Sequence, residues 1–144
     1  CGVLTKVTML FGRRGCNIHS LTVDTTHKPE FSRITVTVYE SDDKVVQIFK
    51  QLKKLEDVKD VALFRDVGFI EREVALFKLN EGITFEELNI KEDEFIQIKN
   101  ITAPTGRCVL EVVGTSEKVT ELIFDIGEEN IDRLSRSGSV AIGI

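Results

Sequence analysis

Cysteine and histidine are scarce in this chain, and none of the few is placed for covalent or metal chemistry. Cys1, Cys16 and Cys108 are an odd number with no CxxC spacing. Neither a disulfide framework nor a zinc knuckle is implied, and reduced thiols are the expectation. His19 and His27 share the parity of one expected strand, with no second His/Cys/Asp cluster nearby in sequence, so they read as strand surface and no metal is assigned. No apolar run approaches the ~20 residues of a membrane-spanning helix, which argues against a membrane protein. Positive charge is short as well: 19 Lys and Arg face 24 Asp and Glu, a net charge of −5. No basic run is long enough to follow a phosphate backbone, which weighs against a nucleic-acid partner. The GxSxG, HExxH, P-loop and Rossmann patterns are all missing, so nothing in the chain demands catalysis. The opening residues do not read as a signal or transit segment, and a cytoplasmic protein is the expectation.

What is present is the composition of a soluble globular protein, 42% apolar and 30% charged. Val3, Leu4, Val7, Leu10 and Phe11 fall on one stripe of a helix, with Arg13 and Arg14 in its last turn and Gly15 beyond. Cations suit that end, and glycine suits a left-handed cap. Gly2 at the helix start leaves the free N–H donors of the first turn approachable, and Asn17 stands where the chain returns as a strand. Together they suggest a small anion-capturing pocket.

Residues 17–25 read as a strand with Leu21 and Val23 on one face, residues 27–30 as a polar turn, and Ile34, Val36 and Val38 as alternating positions of an antiparallel partner. Ser41, Asp42 and Asp43 are placed to cap a second helix with the stripe Val45, Ile48, Phe49 and Leu52. Residues 58–63 then read as a short strand. The order is α-β-β-α-β, so a βαββαβ unit would lack its first strand, and the sequence reads as a portion of a longer chain.

After the linker 65–68 the same order recurs in full. A strand is expected at 71–79 and a helix at 84–94, where Thr84 and Glu87 have capping-box spacing. Paired strands follow at 96–101 and 108–113. Thr115 or Ser116 caps a helix with the stripe Val119, Leu122, Ile123 and Ile126. Strands at 131–135 and 140–144 close the chain. Glu71 and Glu73 share a face at the start of their strand and read as a solvated or ion-paired edge. The fold class is α+β, two small units in tandem whose sequences do not visibly repeat.

Several short signals, in this order, resemble the small, regulatory subunit family of acetohydroxyacid synthase, also called acetolactate synthase. They are Gly2-Val-Leu, Leu10-Phe11, Arg14-Gly15, Asn17-Ile18, Ser20-Leu-Thr-Val23, Pro29, Ser32-Arg33, Lys50-Gln-Leu-Lys-Lys-Leu55, Asp57-Val58, Glu71-Arg-Glu73, Gly114-Thr-Ser116, Ser135-Arg-Ser-Gly138 and Val140-Ala141. The resemblance implies an N-terminal ACT domain over 1–66, without its first strand, and a second ferredoxin-like domain over 69–144. It implies paired ACT domains, with a branched-chain amino acid, typically valine, at the homodimer interface. The ligand would be held by Gly2, Val3 and Leu4, with Asn17 and Ile18 from the partner-facing turn.

It further implies a non-catalytic chain that activates a large catalytic subunit and confers feedback inhibition in branched-chain amino acid biosynthesis. Thiamine diphosphate, FAD and magnesium would belong to that large subunit. The chemistry of the residues is compatible: free helix N–H groups donate to an α-carboxylate. An asparagine amide serves both ends of a zwitterion without adding charge. The alternatives are a free-standing ACT-type amino-acid sensor with a different partner and a small ferredoxin-like enzyme, the latter without any candidate constellation.

Overall fold

A computed structural model describes residues 2–144. It divides into two compact units, one running through Ile70 and including Ile142–Ile144, the other Glu71–Ala141.

The first unit begins with α1 (Val3–Arg13), followed by β1 (Ile18–Thr25), β2 (Ser32–Val38) and α2 (Asp42–Lys53). Val7 and Phe11 of the predicted stripe are buried; Val3 and Leu10 pack beside them, while Leu4 stays 39% exposed. Leu4 departs because it is one residue from Val3, about 100° round the helix, and falls at the edge of the stripe. Lys44, in the first turn of α2, donates to the carbonyl of Gly15 just past α1 (3.2 Å), and Asp57 beyond α2 meets Lys6 in α1 (2.8 Å). The two helices therefore run antiparallel.

Strands β1 and β2 pair antiparallel, Leu21 opposite Val36 and Val23 opposite Ile34, with an irregularity between Ile18 and Ser20. Ile18, Ile34, Val36 and Val38 pack against the helices, around Val7, Phe11, Cys16 and Ile48. Val23 ends 46% exposed. His27 lies past the end of β1, in the turn, so the two histidines do not share a strand.

The expected strand at 58–63 does not form; this segment is irregular. A strand exists only through a hydrogen-bonded neighbour. The sheet of this unit holds β1 and β2 alone, and among the described residues no strand precedes α1.

In the second unit β3 (Phe69–Leu79) is central. It lies between β5 (Cys108–Gly114) and β6 (Ile131–Arg136), with β4 (Ile96–Thr102) beyond β5, and β7 (Val140–Gly143) also pairs with β3. The 3–5 and 4–5 pairings are antiparallel and regular. Helix α3 (Ser116–Ile126) packs Val119, Leu122 and Ile126 onto Ala75, Phe77, Leu79, Leu110 and Val112. Phe77 is fully buried, a burial that contributes about 2–3 kcal/mol. Thr115 is the N-cap, and its hydroxyl accepts from the N–H of Lys118.

The helix expected at 84–94 is a single 3-10 turn, Glu86–Leu88. Ile83, Phe85, Leu88 and Ile90 all pack on the core, a spacing that suits a loop lying flat better than one helical stripe. Asn89 takes a left-handed conformation at φ 49°. Side chains also supply the backbone bonds: Asp93 accepts from the N–H of Phe95 (2.7 Å) and Glu92 from that of Ile98 (2.6 Å). Such bonds compete with the helical ladder. The class remains α+β, two ferredoxin-like units in tandem; among the described residues the first has no strand before α1 or after α2, and the second has a 3-10 turn in place of its first helix.

Candidate functional site

The first turn of α1 is built to be open. Gly2, its N-cap residue, has φ 91° and ψ −11°, and no side chain caps the helix. That φ belongs to the left-handed region, where glycine is favoured. A Cβ at Gly2 would meet no atom within 4 Å, so the backbone conformation, not crowding inside the protomer, calls for glycine. The carbonyl of Gly2 accepts from Lys6 N–H at 3.0 Å, the first helical bond. The N–H groups of Val3, Leu4 and Thr5 therefore have no intrahelical acceptor.

No acidic residue stands in this turn. The Lys6 ammonium is already engaged by Asp57, whose carboxyl it holds below the usual carboxylate range, chiefly by hydrogen bonding. Among the described residues no side chain caps the positive end of the helix dipole.

Of the other predicted ligand residues, Asn17 is exposed just ahead of β1, and Ile18 is half-buried against the core of the first unit. Val3 is likewise turned toward that core, so Gly2, Leu4 and Asn17 are the accessible members. The structure does not bring the two halves of the set together within one protomer. The eleven residues of α1, roughly 16 Å at 1.5 Å per residue, separate Gly2 from Asn17.

Residues 1–60 match the family model described as the AHAS small subunit-like ACT domain. The acetolactate synthase small subunit of Mycolicibacterium smegmatis is 33% identical, over 98% of this chain and 83% of that protein. A probable acetolactate synthase small subunit of Archaeoglobus fulgidus is 37% identical, over 98% and 88%. The chain belongs to the acetolactate synthase small-subunit family. The crystal structure of the Thermotoga maritima acetolactate synthase small subunit superposes with a TM-score of 0.80 at 31% identity, covering 99% of this chain and 89% of that one.

The second unit of this small-subunit chain carries a polar network that sequence reading found only in pieces. Glu73, 4% exposed, pairs with Arg136 at 2.6 Å. Arg136 also donates to the hydroxyl of Thr120 (3.0 Å) and the carbonyl of Ser116 (3.0 Å). Glu71 accepts from the N–H of Ser116 at 2.9 Å, a second cap on α3. The ion-paired reading holds for Glu73 alone, whose pair is interior rather than an edge; Glu71 is a helix cap and not an ion pair, with its other carboxylate oxygen buried and unpartnered. The signals were present as Glu71-Arg-Glu73, Gly114-Thr-Ser116 and Ser135-Arg-Ser-Gly138; their convergence has no local signature.

The thiols of Cys16 and Cys108 are buried, and burial first, then nearby glutamates, pushes both above the ordinary thiol value. They remain protonated and unreactive near neutral pH. Among the described residues no three His, Cys, Asp or Glu side chains are grouped as a metal ion would require.

Proposed function

We propose that this chain is a non-catalytic regulatory subunit. In this reading it activates the large catalytic subunit of acetohydroxyacid synthase and makes it sensitive to feedback inhibition by a branched-chain amino acid, valine in the first instance. The thiamine diphosphate, flavin and magnesium chemistry then resides in the large subunit. Residues 1–66 act as the ACT domain and 69–144 as the second ferredoxin-like domain.

The observation that carries the reading is the uncapped, acid-free first turn of α1, set by the left-handed Gly2 within the segment that matches the ACT family model. An α-carboxylate docks on the N–H groups of Val3, Leu4 and Thr5, drawn by the helix dipole. Asn17 and Ile18 of a second copy close the site, the amide of Asn17 accepting from the α-ammonium. The placement of Gly2 and Asn17 at opposite ends of the eleven-residue α1 supports a homodimer in this reading. Control requires that valine bind one conformation of the complex better than another, since equal affinity shifts nothing.

The test is to mix the chain with an acetohydroxyacid synthase catalytic subunit and assay acetolactate with and without valine. Activation with valine sensitivity is the expected result. Activation without valine sensitivity would remove the ligand role, and no association would favour a free-standing sensor. Asn17→Ala is expected to weaken valine binding on the order of tenfold or more, the loss of one hydrogen bond to a charged group, while leaving the fold intact. Titration calorimetry showing unchanged affinity would refute the assignment.

A further inference from the structure

The first unit has an open concavity of about 520 Å³ on its helical side, lined by Arg14 at the end of α1 and by Gln47, Lys50, Gln51, Lys53 and Lys54 along α2. Four cations thus face one hollow on a chain whose net charge is −5. None of the four makes an ion pair among the described residues, whereas Lys6, Lys44, Arg65, Lys78, Arg107, Lys118 and Arg136 all do. Lys53 rests over the ring of Phe49, 5.0 Å from its centroid, which leaves its charge available at the rim. The cations at the ends of α1 and α2 each complement their own helix dipole, but that need does not require Arg14 and the lysines of α2 to line one hollow.

The hollow is poorly suited to a lone phosphate. Phosphate cradles are made by converging backbone N–H groups at a helix start or a nest. Here no lining residue comes from the first turn of either helix, and Arg14 and Lys54 are C-cap residues, where carbonyls are presented instead. Long, mobile ammonium groups around a shallow floor, with carboxamides between them, match several carboxylates spread over a surface.

We infer that this groove docks an acidic face of the catalytic subunit, a role that rests on the regulatory partnership proposed above and gives it a place on the chain. Exposed charges of this kind steer encounter and set orientation more than they add affinity, and salt screens them. The groove accordingly governs the rate of assembly and its salt dependence.

The test measures association of the full chain with its catalytic subunit over a range of salt concentrations. Three chains are compared: the unaltered one, K50Q/K53Q/K54Q, and K50R/K53R/K54R, with circular dichroism confirming that each folds. The association rate of the unaltered chain is expected to fall steeply with salt. The glutamine variant should associate on the order of tenfold more slowly at low salt with a flatter salt slope. The arginine variant should restore both. Arg14→Gln, which leaves α2 untouched, should move in the same direction by a smaller factor.

Rapid, salt-sensitive association of the glutamine variant would overturn the groove's role while leaving the partnership standing. Failure of the unaltered chain to associate at all would overturn the partnership and the groove together. Micromolar binding of inorganic tripolyphosphate to the chain alone, lost in the glutamine variant, would make the hollow a small-anion site and overturn docking.

Discussion

Asp132 shows how single side chains here are tuned by their neighbours. Arg107 approaches its carboxylate at 2.8 Å and Lys78 at 3.4 Å, and the hydrogen bond from Arg107 is the main reason its carboxyl titrates below the usual range. Asp57 beside Lys6 and Asp93 beside Lys118 are shifted the same way, by the same kind of hydrogen bond. A folded pKa below the unfolded one favours the native state wherever the carboxyl is ionised. That contribution is complete above the unfolded value of about 4, and it is lost as pH falls through the lower folded value. Asp132→Asn is therefore expected to lower the melting temperature at neutral pH and to converge on the unaltered chain in acid, so that its fall below about pH 4 is flatter; thermal melts across pH would show it. A curve for this variant that ran parallel to the unaltered one in acid would contradict the role given to Arg107. The left-handed cap at Gly15 was legible at this scale, since that freedom is a property of glycine itself, whereas the φ of 91° at Gly2 came only from the structure. The exposure of Leu4 was not legible, since it depends on which side of α1 meets the core.

At the scale of elements, two helix starts that look alike in sequence behave differently. Ser41 precedes α2 and Thr115 precedes α3, both in extended conformation, yet only Thr115 turns its hydroxyl to a backbone N–H. Thr115→Ala should cost about 1 kcal/mol in denaturant unfolding, the usual value of a lost cap. Ser41→Ala should stay within about 0.5 kcal/mol, as for an exposed site with no bond to lose. Equal losses at the two sites would mean that the caps are equivalent in solution. The three helices were readable because an amphipathic stripe is written in consecutive residues. The segment 84–94 was misread for a matching reason: capping-box spacing at Thr84 and Glu87 is a local signal. It loses to Asp93 and Glu92, whose carboxylates hold the backbone of β4, and to Lys118, which grips Asp93 at 2.9 Å from α3.

At the scale of the whole molecule the two units differ in how much core they hold. Ten buried hydrophobic residues form the cluster around Phe77, and four form the one around Phe11. The first unit's sheet has two strands, an arrangement that is marginal on its own. Native-state hydrogen exchange should therefore find the slowest amides in β3 and β5, opening only at the global free energy, and those of β1 and β2 exchanging through a less costly local opening. Protection of β1 and β2 equal to that of β3 would show that the units unfold as one. The less protected unit is the one that carries the proposed ligand turn and the basic groove, which fits regulation by shifting the population of a pliable element.

The sequence alone determined the three amphipathic helices, the pairing of β1 with β2, the strands around Phe77, and the family, because periodicity, caps and ordered short signals reside in neighbouring residues. Tertiary structure decided the rest. It denied residues 58–63 a pairing strand, turned 84–90 into a loop on the core, and gathered Glu71, Glu73, Ser116 and Arg136. It also set Gly2 and Asn17 at opposite ends of α1 and drew Arg14 toward the lysines of α2. Those outcomes depend on which distant backbone and charge lie within a few ångströms. Contact across space leaves no periodic trace along the chain.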